Sequence, residues 1–406
     1  MRFDIDLSGI THVIIEIFGG DNNLTDYVLT DLKEMEIGNS GNFAVLGLVD
    51  LRYNNNSSVM AITPDKGLFV LEELDEIDTG DPETLANFLS RALITAKDVP
   101  HKAIGFWDHG TGVFDESDPN EIYLARSIRT MPRRHKNQSV NARKLFLSGQ
   151  KANASTRAML HDDVSGGVLT NYEAHGVLAA AFDRADVHNK VDIIFSDTCL
   201  NGMIEVTEQF KEFAEVIIGS EDLEPGDGWP YHEWLGRMSQ SPPQSAEDWA
   251  VQAIDAFEDG YKARFNVHPC TLGAFRAENG ISAAFKGLID TLETSGKEGM
   301  KSVKLAISDT QAFARHDAFD ISHFCDQLVS NSSDANVIAK AQTLKSAFNA
   351  ARVKQVTLGP TVTDARGLAF WFPTTKYNFQ NVLQTYPKLA FDKRTGWSDY
   401  LLRYRF

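Results

Sequence analysis

Cysteine is scarce in this chain. Only Cys199, Cys270 and Cys325 occur in 406 residues, too few for a disulfide framework and in keeping with a reducing compartment. There is no run of eighteen apolar residues, so no membrane-spanning helix is expected. The opening residues, MRFDIDLSGITHVII, put acids where the apolar core of a signal peptide would lie. The expectation is a cytoplasmic protein as given, or a secreted one whose export signal is not part of this chain. Positive charge is also in short supply: 39 Lys and Arg stand against 56 Asp and Glu, a net charge of −17. That balance argues against general nucleic-acid binding and favours cationic partners, unless it serves solubility alone. Metal motifs are missing. His323-Phe-Cys325 is a lone ligand-like pair without a second, and no acidic loop has EF-hand spacing.

A hydrophobic share of 43% with 23% charged residues fits one large globular domain or two modest ones. Thr11 to Phe18, Phe43 to Asp50 and Ala103 to Trp107 are apolar runs of strand length. Between them, Leu24 to Met35 and Asp81 to about Lys97 have helical periodicity, the second with Asp81 at its cap and Pro82 in its first turn. Strands apolar throughout, alternating with helices, predict an α/β fold with a mostly parallel sheet covered on both faces. Met60 to Thr63 and Gly67 to Leu71 read as a hairpin lying across the top. Asn171 to Phe182 and Ala246 to Phe265 read as helices, and Glu215 to Gly219 as a further strand. Residues 1–265 are expected to form the catalytic domain and 266–406 a C-terminal subdomain packed on the sheet or extending it. That second part should hold helices at Gly280 to Glu293, Lys301 to Ala314, Ile321 to Val329 and Ala335 to Ala350. A late strand at Gly367 to Phe372 and a closing helix at Trp397 to Tyr404 follow.

Two stretches carry chemistry. Val191 to Phe195 is a buried strand followed by Ser196-Asp197-Thr198-Cys199, and Leu200 to Phe210 has apolar residues at helical spacing. A cysteine thus stands where a strand stops and a helix is expected to start, a place that lowers a thiol's pKa. Taken alone, it is equally a small buried core thiol. Ala103 to Trp107 ends likewise, in Asp108-His109-Gly110. Two parallel strands ending in a thiol and an imidazole bring both to one rim, as nucleophilic catalysis needs.

His109-Gly110 followed by Asp197-Thr198-Cys199 resembles the clostripain family, cysteine endopeptidases of the caspase-like fold related to gingipains, legumain and caspases. Gly20 to Leu24, Gly80 to Leu85, Cys199 to Glu205, Ser220 to Tyr231 and Gly367 to Pro373 resemble it too, so the similarity spans most of the chain. The resemblance implies a caspase-like fold, with Cys199 as nucleophile, His109 as its partner and the N–H groups of Gly110 and Cys199 as oxyanion donors. It also implies cleavage after Arg or Lys, with Asp197 and Asp227 lining the pocket for that side chain. Glu221 and Glu224 are candidates for extended subsites. Some relatives use Ca²⁺; with no supporting motif here, no metal is expected and none is required for the chemistry.

Leu124 to Leu160 contains no acid and nine basic residues: Arg126, Arg129, Arg133, Arg134, Lys136, Arg143, Lys144, Lys151 and Arg157. The rest of the chain therefore carries −26. The segment lacks periodicity and the interleaved aromatics that stack on bases, so it reads as a loop. Between the two halves of an Arg/Lys protease it reads as a self-processing loop, which predicts a monomer nicked into two associated chains. Two rivals remain: a catalytically quiet caspase-like binding or signalling module, and another thiol hydrolase or acyltransferase on a similar sheet.

Overall fold

The computed structural model describes residues 2–52, 56–113, 159–263, 269–314 and 316–406. At its centre is one nine-stranded sheet. In chain order its strands are β1 (His12–Gly20), β2 (Phe43–Leu51), β3 (Asn56–Thr63), β4 (Gly67–Leu74), β5 (His101–Trp107), β8 (Val191–Asp197), β9 (Ala214–Gly219), β10 (Cys270–Arg276) and β12 (Arg352–Leu358). Two short pairs stand apart: β6 (Leu160–His161) with β7 (Val168–Leu169), and β11 (Ala318–Asp320) with β13 (Ala369–Trp371). Across the sheet the order is β12-β10-β9-β8-β5-β1-β2-β3-β4. The five middle strands are parallel, and each flank is closed by two antiparallel ones.

The parallel strands are apolar on both sides because both sides are covered. Val13, Ile15 and Ile17 of β1 enter one core, while Ile14 and Phe18 enter the other. Helices α1 (Thr25–Gly38), α5 (Tyr231–Gln240) and α6 (Ala246–Tyr261) cover the second core. Helices α2 (Pro82–Thr95), α3 (Asn171–Arg184) and α4 (Ile204–Phe210) cover the first, joined there by the helices of residues 281–404. Local signals set their starts. The Asp81 carboxylate accepts from Thr84 N at 2.8 Å ahead of Pro82, and Thr170 with Glu173 forms a reciprocal capping box at α3.

Four readings need correction. The hairpin of residues 56–74 does not lie across the top; it extends the sheet beyond β2, burying Val59, Ala61 and Ile62. The helix expected from Leu200 starts only at Ile204. Leu200 has φ 65°, a left-handed backbone that a helix cannot continue through. Residues 352–358, given no assignment from sequence, form the edge strand β12, where only Val356 is fully buried and the apolar signal is correspondingly faint. The two helices read at residues 280–314 meet at Gly296 (φ 56°), within one interrupted helix of Ile281–Asp309.

Candidate active site

β5 and β8 are neighbours in register, with Trp107 opposite Asp197. His109 and Cys199 each stand two residues beyond that pair, so sheet register alone carries both to one rim. They line the same cleft, a cavity of about 40 Å³ closed on its far side by Glu224, Pro225, Gly226 and Gly228. The two loops touch. A Cβ on Gly110 would meet the Cys199 carbonyl at 2.2 Å and the Cys199 nitrogen at 3.0 Å. Glycine is therefore required at 110, and the two backbones run side by side. Gly110→Ala should lower kcat by about 10²–10³-fold, the loss typical of a displaced oxyanion donor. An unchanged kcat on a peptide reporter would contradict the close approach.

Cys199 is buried, and the Glu224 N–H donates to its Sγ at 3.3 Å. Burial pushes this thiol well above the ordinary range, and the charges of Glu224, Asp222 and Asp197 add to the shift. The expected lowering by a helix N-terminus does not operate, because α4 begins five residues later. The chain after Cys199 is held by Leu200 N to Asp222 O at 3.1 Å and Gly202 N to Ser220 O at 2.7 Å. Below it, Gly202 O accepts from Ala369 N at 2.8 Å and Glu205 Oε1 from Trp371 N at 2.9 Å. The tail strand β13 thus supports the cysteine loop.

His109 is oriented by the turn after β1. Its Nε2 lies 2.8 Å from Asn23 Oδ1, and since a carboxamide oxygen only accepts, Nε2 carries the proton in this arrangement. Asp108 fastens that turn. Its Oδ1 accepts from Asn22 Nδ2 at 2.8 Å and from His109 N at 2.5 Å, and its Oδ2 accepts from His161 N at 2.5 Å.

The cleft's charge comes from acids. Asp197 Oδ2 accepts from Trp229 N and from the Tyr231 hydroxyl, each at 3.0 Å. Burial raises Asp197 to about 6. Burial, and then the neighbouring Asp197, raises Glu224 well above its ordinary value. The two carboxyls hydrogen-bond to each other, and burial together with their mutual repulsion favours a shared proton, with Glu224 raised further than Asp197. Beneath them Asp31 accepts from Trp107 Nε1 at 2.7 Å, and Glu16 Oε1 lies 2.8 Å from the Tyr231 hydroxyl. Burial raises both. Asp31 presses so closely on Gly228 (φ 67°) that a Cβ there would lie 2.4 Å from its Oδ2.

The other acids named from sequence lie elsewhere. Asp227 is exposed and does not line the cleft, although Gly226 and Gly228 on either side of it do. Glu221 is buried away from the cleft, with its Oε2 accepting from Gly367 N at 2.8 Å and its charge set against Asp320. Cys270 and Cys325 are buried free thiols. The nine basic processing candidates, Arg126 to Arg157, lie outside the described residues. Among the described residues, no helix is long and apolar enough to cross a membrane. Three carboxylates that could hold a metal ion, Asp21, Asp50 and Glu76, converge outside the cleft.

The sequence profile of the clostripain family matches residues 17–128 and 147–402. The chain belongs to the clostripain family. Membership makes it a family cysteine peptidase, and the interruption of the profile falls inside the basic insert. A search of curated proteins found no match. Among solved structures, the chain is similar to a secreted C11 cysteine protease from Bacteroides thetaiotaomicron in complex with an irreversible peptide inhibitor. Identity is 15%, coverage 96% of this chain and 99% of that one, and the TM-score 0.66. It is similar also to an inactive zymogen C11 protease from Parabacteroides distasonis, at 18% identity, 96% and 99% coverage and a TM-score of 0.66. At these identities the likeness establishes the shared fold, an α/β caspase-like sheet flanked by helices.

Against that clostripain-family background, sequence reasoning overlooked Asn23, Asp31 and Glu16. Two of the three left a signal. Glu16 is a lone acid in the otherwise apolar run VIIEIF, and Asp31 falls on the apolar face of α1 with Val28, Leu32 and Met35. An acid at a core position of a strand or helix needs a partner, and here the partners are Tyr231 and Trp107. Asn23 lies in a turn whose composition alone explains it.

Proposed function

We propose that this clostripain-family protein is an endopeptidase that cleaves after Arg or Lys and activates itself by a cut in residues 124–160. The observation that carries the specificity is Asp197. It is a buried carboxylate at the cleft beside Cys199, ionised above about pH 6 and, among the described residues, not joined to any Lys or Arg. A guanidinium or ammonium reaching it would restore the charge balance and make charge-assisted hydrogen bonds. Asp227, exposed on the neighbouring turn, would add a weaker, solvent-screened attraction at the mouth.

In this reading the Cys199 thiol passes its proton to His109 as the sulfur attacks the scissile carbonyl. The N–H groups of Gly110 and Cys199 hold the oxyanion, and His109, oriented by Asn23, protonates the leaving amine. Water then releases the acyl-enzyme. A thiol whose pKa is raised by burial is a poor nucleophile, so the uncut chain would be latent. Cleavage of the insert would open the cleft and return Cys199 to water.

A peptidyl-arginine electrophile is expected to label Cys199 and a neutral analogue to leave it unlabelled. A positional-scanning library should show Arg and Lys at P1. Flat P1 preference would favour a different thiol hydrolase, and no labelling of cut or uncut protein would favour the quiet binding module.

A further inference from the structure

We propose that Glu16 is held as a neutral acid and serves as a positioning residue for the pocket: it donates to Tyr231 and so turns the one hydroxyl hydrogen of Tyr231 onto Asp197. The sheet around it is built to hold an acid. Glu16 lies in β1, in the middle of the sheet, and faces the same core as Ile14 and Phe18. Its register partners are Gly47 on β2 and Gly105 on β5. A glycine inside a strand weakens it and often marks a close approach. A Cβ on Gly105 would stand 2.9 Å from Glu16 Cγ and 2.4 Å from Phe195 Cζ. The bare strand at that position leaves room for the acid beneath the cleft.

A count of hydrogens carries the assignment. The Tyr231 hydroxyl stands 2.8 Å from Glu16 Oε1 and 3.0 Å from Asp197 Oδ2. It has one hydrogen, so it cannot donate to both carboxyls at once. Two ionised carboxylates would leave one of them facing the bare phenolic oxygen, where neither Glu16 nor Tyr231 has exposed surface. One carboxyl therefore supplies the second hydrogen. Asp197 is the better anion, because it also accepts from Trp229 N at 3.0 Å and hydrogen-bonds Glu224. Glu16 has no such support. Its Oε2 is buried without a donor, and no Lys or Arg lies against it among the described residues. A neutral carbonyl oxygen left in that position costs much less than a carboxylate oxygen. Burial, with the charge of Asp197 added, holds Glu16 well above its ordinary range, which agrees with the count. Asp31, the third acid facing Tyr231, is occupied by Trp107 Nε1 at 2.7 Å. The line of donors thus runs from Glu16 through Tyr231 to Asp197.

The consequence is for the charge that meets the substrate. A donor into Tyr231 polarises its O–H and strengthens the bond it makes to Asp197. Were Glu16 ionised, Tyr231 would be divided between two anions and Asp197 would face a further negative charge, both of which favour its neutral form. The pocket therefore keeps its carboxylate for a cationic side chain while Glu16 keeps its proton. The proton assignment stands on the geometry; its effect on substrate rests on the reading of Asp197 as the anchor for Arg or Lys.

Infrared difference spectra of the full-length protein test the proton. In the Cys199→Ala background at neutral pH, Glu16→Gln is expected to remove the C=O stretch of one protonated carboxylic acid. Loss of carboxylate bands instead overturns the proposal. Should Glu16→Gln fail to fold, Glu16→Leu, which puts an apolar side chain into that core, gives the same reading. Kinetics with Cys199 intact test the positioning. Glu16→Leu should raise KM for a peptidyl-arginine reporter about threefold to tenfold, the worth of one hydrogen bond, with kcat little changed. Glu16→Gln, whose amide N–H replaces the donor of the acid, should restore the parental KM. Tyr231→Phe should raise KM at least as much as Glu16→Leu, and should move the acid limb of kcat/KM to higher pH, because Asp197 loses a donor. Equal rises in KM for Glu16→Gln and Glu16→Leu overturn the positioning role, as does a parental KM in Glu16→Leu. A folded wild type that cleaves no peptide, with the acid band still lost in Glu16→Gln, would leave the proton on Glu16 and remove the protease reading instead.

Discussion

Cys199→Ala should lose peptidyl-Arg and peptidyl-Lys hydrolysis by on the order of 10⁵–10⁶-fold. It should also remain a single chain during purification and incubation, while the wild type splits between Arg126 and Arg157. The substitution removes one sulfur from a packed position and with it the hydrogen bond from Glu224 N, so Tm should change little. Both losses share one cause, since the insert and the reporters compete for the same nucleophile. Intact mass reads out the cut and reporter hydrolysis reads out the activity. A wild type that stays whole yet is fully active would end the activation scheme without touching the assignment of Cys199. Full activity in Cys199→Ala would end that assignment.

Asp197→Asn should lower kcat/KM for Arg and Lys at P1 by roughly 30-fold to several-thousand-fold, as expected when an unpaired cation in a desolvated pocket costs about 2–5 kcal/mol. Asp227→Ala should cost much less, because its side chain is exposed. Equal losses in the two variants would move the pocket's charge outward to Asp227.

The sign of the pH dependence follows from the raised pKa. As pH falls through about 6, Asp197 takes up a proton, and KM for a cationic substrate should rise. Stability runs the other way. A carboxyl that ionises at about 6 when folded and near 3.8 when unfolded leaves the protein most stable at acid pH, and that contribution is lost as pH rises from about 4 through 6. That difference corresponds to about 3 kcal/mol at most. Asp197→Asn, which keeps a carboxamide oxygen for Trp229 and Tyr231, should therefore melt higher than wild type at pH 7.5 while turning over far less substrate. A lower melting temperature would mean that the carboxylate is held by more than its two donors.

Much of this could be read from the chain because the decisive signals are local. Buried parallel strands are apolar throughout, and His109 and Cys199 stand immediately after two of them. Asp81 and Thr170 mark helix starts through their own side chains. What stayed hidden depends on distant partners. The hairpin at residues 56–74 has the same pattern whether it lies across the sheet or extends it, and only the free edge of β2 decides. The apolar spacing of Leu200 and Met203 imitates a helix that the backbone at Leu200 refuses. Nothing near Asp227 in the sequence distinguishes a pocket wall from an exposed turn position.

The strand order has a consequence for how the molecule could be built. Among the described residues, every strand that precedes the basic insert lies on one side of the sheet, β5-β1-β2-β3-β4, and every sheet strand that follows it lies on the other, β12-β10-β9-β8. The two contiguous half-sheets meet along a single seam, the five-residue ladder between β5 and β8. That seam is clasped on one face by α2 against α3 and on the other by α1 against α5. A peptidase severed in the insert is then a heterodimer whose subunit interface carries the catalytic centre, with the imidazole on one polypeptide and the thiol on the other. Supplied as two separate genes, the halves should behave as complementing fragments, each silent until it meets its mate.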